Sequence, residues 1–304
     1  MSGRNIAASV RARLLDRART DRRDFNLVLT RYGLERLLYR LSVSAHAGQF
    51  MLKGALLFDL WFDMPHRPTR DADLLGFGSS DAPRLEEVFR EICAMELDDG
   101  IRFRPDTVRA GEIRKEASYS GIRVTLVGSL DGALCPLRVD VGFGDAVTPE
   151  PEDIDYPVLL PEMPSPKLRA YPKYTVIAEK LEALVSLGIA NSRMKDYYDL
   201  WTLSRHSDLD GELVCRAIHA TFERRGTPLP EGVPFGLSEE FVLDTQKQAQ
   251  WRAFIRRNAL AVVALREVVE CLHRFLYPPL VSLRQGGRFS QAWHSGDGWI
   301  PNRS

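Results

Sequence analysis

Thr69-Arg70-Asp71-Ala72-Asp73-Leu74-Leu75 is the stretch from which the chain is best read. Two carboxylates stand one residue apart, after a proline-containing approach (His66-Arg67-Pro68) and ahead of an apolar run. A strand from Asp71 to Phe77 puts Asp71 and Asp73 on the same face, because strand side chains alternate with period two. Two such anions about 4 Å apart, at an effective dielectric of about 20, repel by roughly 4 kcal/mol. A divalent cation between them reverses the sign, so the pair reads as a metal site.

Working outward, Phe50-Met51-Leu52-Lys53-Gly54-Ala55-Leu56-Leu57-Phe58 is an apolar run broken at Lys53-Gly54. It predicts a strand ending near Lys53, a glycine turn and a helix through Trp61. Gly54 at a helix start lets the backbone approach a phosphate. Upstream, residues 4–45 read as helical, with Leu27, Leu34, Leu37, Leu38 and Leu41 in one stripe. Arg31, Arg36 and Arg40 fall off that stripe and are expected on a solvated face. Downstream, Ala82-Pro83 opens a helix capped by Ser80 or Asp81, with Leu85, Val88, Phe89, Ile92 and Cys93 inward. Alternating strands follow near 101–104, 122–127 and 137–145.

Residues 146–172 hold seven prolines from Pro149 to Pro172, which disfavours helix and marks an inter-domain segment. From Lys173 onward the periodicity is helical, and the tail after Gln285 is expected to be irregular. The expected division is residues 1–160, a catalytic domain with N-terminal helices, and residues 161–304, a mainly helical domain.

The composition fits this reading. The 304 residues are 44% apolar and 27% charged, as in a soluble globular protein. Zero net charge gives no global argument for nucleic-acid binding, which leaves local basic patches. The four cysteines are scattered, without zinc-ligand spacing or a disulfide framework. No run of about 18 apolar residues appears, so a cytoplasmic protein without a membrane anchor is expected.

Asp140 is the natural third acid. It interrupts Val139, Val141 and Phe143, where an unpaired carboxylate is costly. Asp145, in Gly-Phe-Gly-Asp, reads instead as a turn residue. Three aspartates on adjacent strands match the two-metal solution to nucleotidyl transfer, and Mg²⁺ (with Mn²⁺ as a substitute) suits an all-oxygen site completed by an NTP's phosphates. In the second half, Lys180 precedes core-facing Leu181, and Arg193-Met194-Lys195-Asp196-Tyr197-Tyr198-Asp199 places Asp196 near both Arg193 and Asp199 on a helix.

With these segments in order, the chain resembles the AbiEii-type nucleotidyltransferase toxins. The resemblance runs over Arg31-Tyr32 through Ser42, Leu52-Lys53-Gly54, Thr69 to Asp73, Val139 to Asp145, Ala178 to Leu184 and Arg193 to Leu200. It implies an α+β fold with a DNA polymerase beta-like mixed sheet and flanking helices, followed by the mainly helical domain. It also implies metal ligation by Asp71 and Asp73, phosphate binding by Lys180, and a second essential acid at Asp196. Arg193 and Lys195 would hold phosphates or the motif itself. The family's first motif usually reads Gly-Gly or Gly-Ser where this chain has Gly54-Ala55. A serine donor is therefore missing, and Lys53 or backbone N–H groups substitute.

Members act as toxins paired with an antitoxin, and some transfer nucleotides from an NTP to the 3′ end of tRNA, blocking translation. In some, the hydroxyl two residues before the first aspartate is phosphorylated, which makes Thr69 a candidate regulatory site. Arg67, Arg70, Arg102, Arg104, Arg109, Arg114 and Lys115 are candidates for contacts with RNA phosphates. Two other readings keep the fold: transfer to a small-molecule or protein hydroxyl, and an inactive binding module.

Overall fold

A computed structural model describes residues 5–62, 66–113 and 121–302. Arg114 and Lys115 lie outside the described residues. The chain forms two compact units, one of residues 1–144 and 152–170, the other of 145–151 and 171–304.

The first unit opens with helices α1 (Ile6–Thr20) and α2 (Phe25–Val43), capped by the side chains of Asn5 and Asp24. Strand β1 (Phe50–Lys53) runs into a single 3-10 turn at Gly54–Leu56 and the short helix α3 (Leu57–Trp61), as the apolar run predicts. Strand β2 (Asp71–Gly76) and helix α4 (Ala82–Ala94) follow, α4 with Asp81 as cap and proline in its first turn. Then come β3 (Ile101–Ile113), β4 (Gly121–Leu130) and β5 (Ala133–Phe143). Two short strands complete the sheet, β6 (Glu152–Asp155) and β7 (Lys167–Ala170). The last of these lies in the proline-punctuated stretch, beyond the 160/161 division expected from composition.

The seven strands lie in the order β3-β4-β5-β2-β1-β7-β6. The β2–β5 and β1–β7 pairs are parallel and the others antiparallel, which makes this a mixed α+β sheet. Alternation gives the sheet two faces with different fates. Ala72 and Leu74 of β2, Val124 and Leu126 of β4, and Cys135, Leu137, Val139 and Val141 of β5 are buried. This is the face packed by the helices. Gly33 of α2 comes so close to it that a Cβ there would meet Cys135 Sγ at 2.8 Å. The opposite face carries Asp71, Asp73, Arg123, Arg138 and Asp140, all exposed or half-buried.

Two sequence expectations fail. Arg36 and Arg40 are not solvated: they are 0% and 1% exposed. Arg40 forks onto Asp99 at 2.6 and 3.2 Å and donates to the Met95 and Ile101 carbonyls, while Arg36 donates to the Pro164 carbonyl. Helical periodicity cannot distinguish a solvated arginine from a buried one such as Arg36, which lies 2.8 Å from the Glu35 carboxylate beside it in the chain, or Arg40, whose guanidinium reaches acceptors far along the chain.

The second expectation concerns the tail, in the second unit. That unit contains α5 (Lys173–Leu187), α6 (Met194–His206), α7 (Gly211–Arg225), α8 (Glu239–Leu243), α9 (Thr245–Arg257) and α10 (Leu265–Arg284). The tail is not irregular. With β8 (Leu209–Asp210), strands β9 (Gln291–His294) and β10 (Gly298–Pro301) form a three-stranded sheet. Its tryptophans anchor it: Trp293 and Trp299 pack on Phe275 of α10, and their ring N–H groups donate to the Ser204 and Phe275 carbonyls.

Candidate active site

The site is best followed across the strands of the first unit. Directly paired residues share a sheet face. Lys53 pairs with Asp73, Asp73 with Asp140, and Asp140 with Arg123, so one row across four strands reads cation, anion, anion, cation. In the next row Asp71 pairs with Arg138, Arg138 with Thr125, and Thr125 with Arg109. The two aspartates of β2 thus lie on one face, beside the third acid on β5.

Each acid is held differently. The Thr69 hydroxyl donates to Asp71 Oδ1 at 2.8 Å. Asp73 lies against Gly54, where φ is +77° and a Cβ would fall 2.1 Å from Asp73 Oδ2. Gly54 is therefore required twice, for its left-handed backbone and for the space its missing side chain leaves to the carboxylate. Asp140 is gripped by Arg123, whose Nε donates to Oδ1 at 2.8 Å and whose terminal nitrogen donates to Oδ2 at 2.7 Å. That hydrogen-bonded pair raises the arginine's pKa, and the charges of Asp140, Asp71 and Asp73 add to it against the opposing effect of burial.

The donor chemistry, carboxylate oxygens on neighbouring strands, suits a hard cation. Among the described residues no three aspartate, glutamate, histidine or cysteine side chains gather around a common point as they stand. Both oxygens of Asp140 are taken by the guanidinium, which itself stands where the sheet face calls for positive charge. Asp71 and Asp73 would hold a metal first, and Asp140 could join them on leaving Arg123.

In the second unit, Lys180 of α5 donates from Nζ to Asp196 Oδ1 at 2.7 Å and to Asp199 Oδ2 at 2.8 Å. Arg193 Nε donates to Asp196 Oδ2 at 2.5 Å. Both aspartate side chains are 0% exposed, and Lys180 is 12% exposed. Burial alone would raise the Asp196 carboxyl, but Lys180, Arg193 and Lys195 outweigh it and hold it well below the usual carboxylate range. Asp196 is therefore an ionised acid held between Lys180 and Arg193. Lys195 is exposed.

The loop ahead of α6 is fixed by buried Lys247, whose Nζ donates to the Ile189 and Asn191 carbonyls, while Asn191 Oδ1 accepts from the Arg193 N–H. Asp145 belongs elsewhere. Its buried carboxylate receives Arg225 at 3.3 Å and the Tyr171 hydroxyl at 3.2 Å. Arg225 also binds Glu182 at 2.6 Å and lies 3.5 Å from Glu179.

Two residues at these clusters escape a reading of the sequence alone. Arg123 and Arg138 sit at alternating strand positions, where an exposed charge is unremarkable, and only the register places them beside the acids. Asp199 does not, since its spacing from Asp196 puts two carboxylates on one helical face. The four cysteines are buried, and burial pushes the Cys93, Cys135 and Cys215 thiols up to about 12.

Comparison with known proteins places the chain in a family. Among solved structures, JHP933 from Helicobacter pylori is 16% identical, with 83% of this chain and 90% of that chain covered and a TM-score of 0.48. A second H. pylori chain, provisionally described as a nucleotidyltransferase, is 14% identical, with 84% and 94% covered and a TM-score of 0.49. A search of curated proteins found no match. A family profile, the nucleotidyl transferase AbiEii toxin of type IV toxin–antitoxin systems, matches residues 36–271. That span takes in β1, β2, β5, α5 and α6 with every acid described above, and the chain belongs to the AbiEii nucleotidyltransferase toxin family.

Proposed function

We propose that the protein transfers a nucleoside monophosphate from an NTP to the 3′ end of tRNA and so blocks translation, an activity its antitoxin restrains. The observation that carries this reading is the acidic row, with Asp71 and Asp73 on β2 and Asp140 paired in register with Asp73. Asp71, Asp73 and Asp140 would hold Mg²⁺, or Mn²⁺ in its place. Such ions, when bound, offset triphosphate charge and ease deprotonation of the acceptor hydroxyl. In the reaction the acceptor oxygen bonds to the α-phosphorus, the bond to the bridging oxygen breaks, and pyrophosphate leaves.

The chain's own residues supply the rest. Gly54 keeps Asp73 in place, and Lys53 brings positive charge to the same row. Lys180 and Arg193 bind phosphate, with Asp196 and Asp199 fixing the lysine, and exposed Lys195 adds charge to that cluster. Thr69 orients Asp71. A phosphate on its hydroxyl would add about −2 charge beside the acids and remove the donor.

An RNA acceptor is favoured by the basic character of the open sheet face. Arg102 and Arg104 pair with Ser129 and Val127, Arg109 with Thr125, and these rows continue to Leu134, Pro136 and Arg138 of β5. Arg102, Arg104, Arg109 and Arg138 are all exposed on the face that bears the acids, as side chains that grip backbone phosphates must be.

The test is incubation of the protein with total tRNA and each α-labelled NTP in turn, with Mg²⁺. Label should pass to RNA, and Asp71→Ala should abolish transfer. Binding to tRNA should weaken steeply with salt. Folded protein that labels no RNA would refute the proposal, and a flat salt response would point to a small hydroxylated acceptor or a protein hydroxyl.

A further inference from the structure

Arg123 has no role in the reaction as written, yet it makes a two-pronged contact with one of the acids. Its fork takes both oxygens of Asp140 at 2.8 and 2.7 Å. Planar bidentate pairs of this kind are the strongest and most directional hydrogen-bonded ion pairs that side chains form. The contact is fixed by register, since Arg123 on β4 lies directly across from Asp140, which itself lies across from Asp73. The arginine side chain is 40% exposed and the aspartate 18%, so the guanidinium has solvent on one side while the carboxylate is largely covered.

A carboxylate whose two oxygens are both donated to has little to offer a cation. The same three acids without Arg123 would repel one another. We propose that Arg123 is a resident counter-cation that holds Asp140 in the free protein and competes with the divalent cation for it. Asp140 then exchanges from the guanidinium to the cation, and Arg123, released, is left beside the site with its charge available to a phosphate. This inference rests on the nucleotidyl-transfer reading, because that reading brings the cation.

Competition has a signature that a purely structural pair lacks: removing Arg123 should strengthen cation binding. Mn²⁺ titration followed by electron paramagnetic resonance, without nucleotide, reads this independently of turnover. Because a charge-assisted hydrogen bond is lost, Arg123→Gln should bind Mn²⁺ at least about tenfold more tightly than wild type. Arg123→Lys, which keeps the charge but can cover only one oxygen, should fall between the two. Arg123→Gln combined with Asp140→Asn should lose the gain. Melting curves identify variants that fail to fold, and Arg123→Lys is the milder substitution should Arg123→Gln do so.

A crystal structure with Mn²⁺ and a non-hydrolysable NTP analogue should show Asp140 on the metal and Arg123 turned away. If Arg123→Gln and Arg123→Lys bind Mn²⁺ as wild type does or more weakly, or if Asp140 keeps its fork with the metal in place, the proposal is overturned while nucleotidyl transfer stands. Absence of Mn²⁺ binding by wild type and by Arg123→Gln alike would also overturn the proposal, whereas the nucleotidyl-transfer reading falls only if folded protein transfers no label.

Discussion

Gly54 and Asp73 occupy space that only a glycine leaves open: a Cβ at position 54 would stand 2.1 Å from Asp73 Oδ2. The φ of +77° adds a second penalty for any other residue. Gly54→Ala should therefore displace the carboxylate and strain the backbone by about 1–3 kcal/mol. Mn²⁺ affinity should drop by at least about tenfold, the usual consequence of disturbing a group that supports a ligand. Since Gly54 lies at the end of β1 and not in the core, the circular dichroism spectrum should stay native. A Gly54→Ala protein with wild-type Mn²⁺ affinity would show that the close approach has no bearing on cation binding.

Lys180 poses a different problem, because it is both a candidate phosphate ligand and the counter-ion of two buried acids. Lys180→Met leaves Asp196 and Asp199 buried without their ammonium, and breaking a buried pair costs about 3–5 kcal/mol. Loss of transfer in that variant alone would not separate the two roles. The double variant Lys180→Met/Asp199→Leu removes one of the two buried charges that lost the ammonium and should recover part of the lost melting temperature, while transfer stays abolished. Asp199→Asn should weaken transfer as Asp196→Asn does, because each aspartate fixes the same ammonium. Recovery of transfer along with stability would show that Lys180 has no part in the chemistry.

These two cases show what could be read from the chain before its structure. The elements around Asp71-Ala72-Asp73 were legible because period-two alternation, a glycine break and a capped proline start each leave a local mark. The helical character of the second unit was legible for the same reason. The Asp140–Arg123 fork was not, because antiparallel register between β4 and β5 is set by the hairpin between them, and one residue of slip would put Arg123 on the other face. Arg36 and Arg40 were misread because their acceptors lie 128, 55 and 59 positions away, where no local pattern reaches. The β9–β10 hairpin did leave a signal, in Ala-Trp-His-Ser-Gly-Asp-Gly-Trp-Ile, where tryptophans flank a Gly-Asp-Gly turn.

Thr69 gives a prediction that separates a hydroxyl's service from its modification. Its hydroxyl donates to Asp71 Oδ1 at 2.8 Å. Thr69→Val removes one charge-assisted hydrogen bond and should slow transfer by roughly tenfold. Thr69→Glu removes the donor and adds a negative charge beside Asp71 and Asp73, so Mn²⁺ or Mg²⁺–NTP should bind more weakly than in Thr69→Val. Comparing nucleotide affinity in the two variants by calorimetry decides the point. Equal affinities would mean that added charge at position 69 does not reach the acids, and the case for phosphorylation as an off-switch would fail with it. Mass spectrometry of protein co-expressed with its antitoxin then looks for the phosphate directly.

The pH response of the first unit should be governed partly by Glu35, a residue of α2 remote from the acidic row in sequence and 1% exposed. Burial raises its carboxyl from 4.5 to about 7, against the lowering effects of Arg36 and of the Leu159 N–H that donates to it at 2.7 Å. Between those two values the folded protein holds a proton that the unfolded chain has released, so stability must fall as pH rises. The favourable contribution is complete below about pH 4.5 and is lost by about pH 7. The whole effect is on the order of 3 kcal/mol. Glu35→Gln keeps an acceptor for the Leu159 N–H and removes the titration. Relative to wild type, the variant should gain melting temperature progressively from pH 5 to pH 8, with the two converging at the acid end. Parallel melting profiles across that range would show that Glu35 does not change protonation on unfolding.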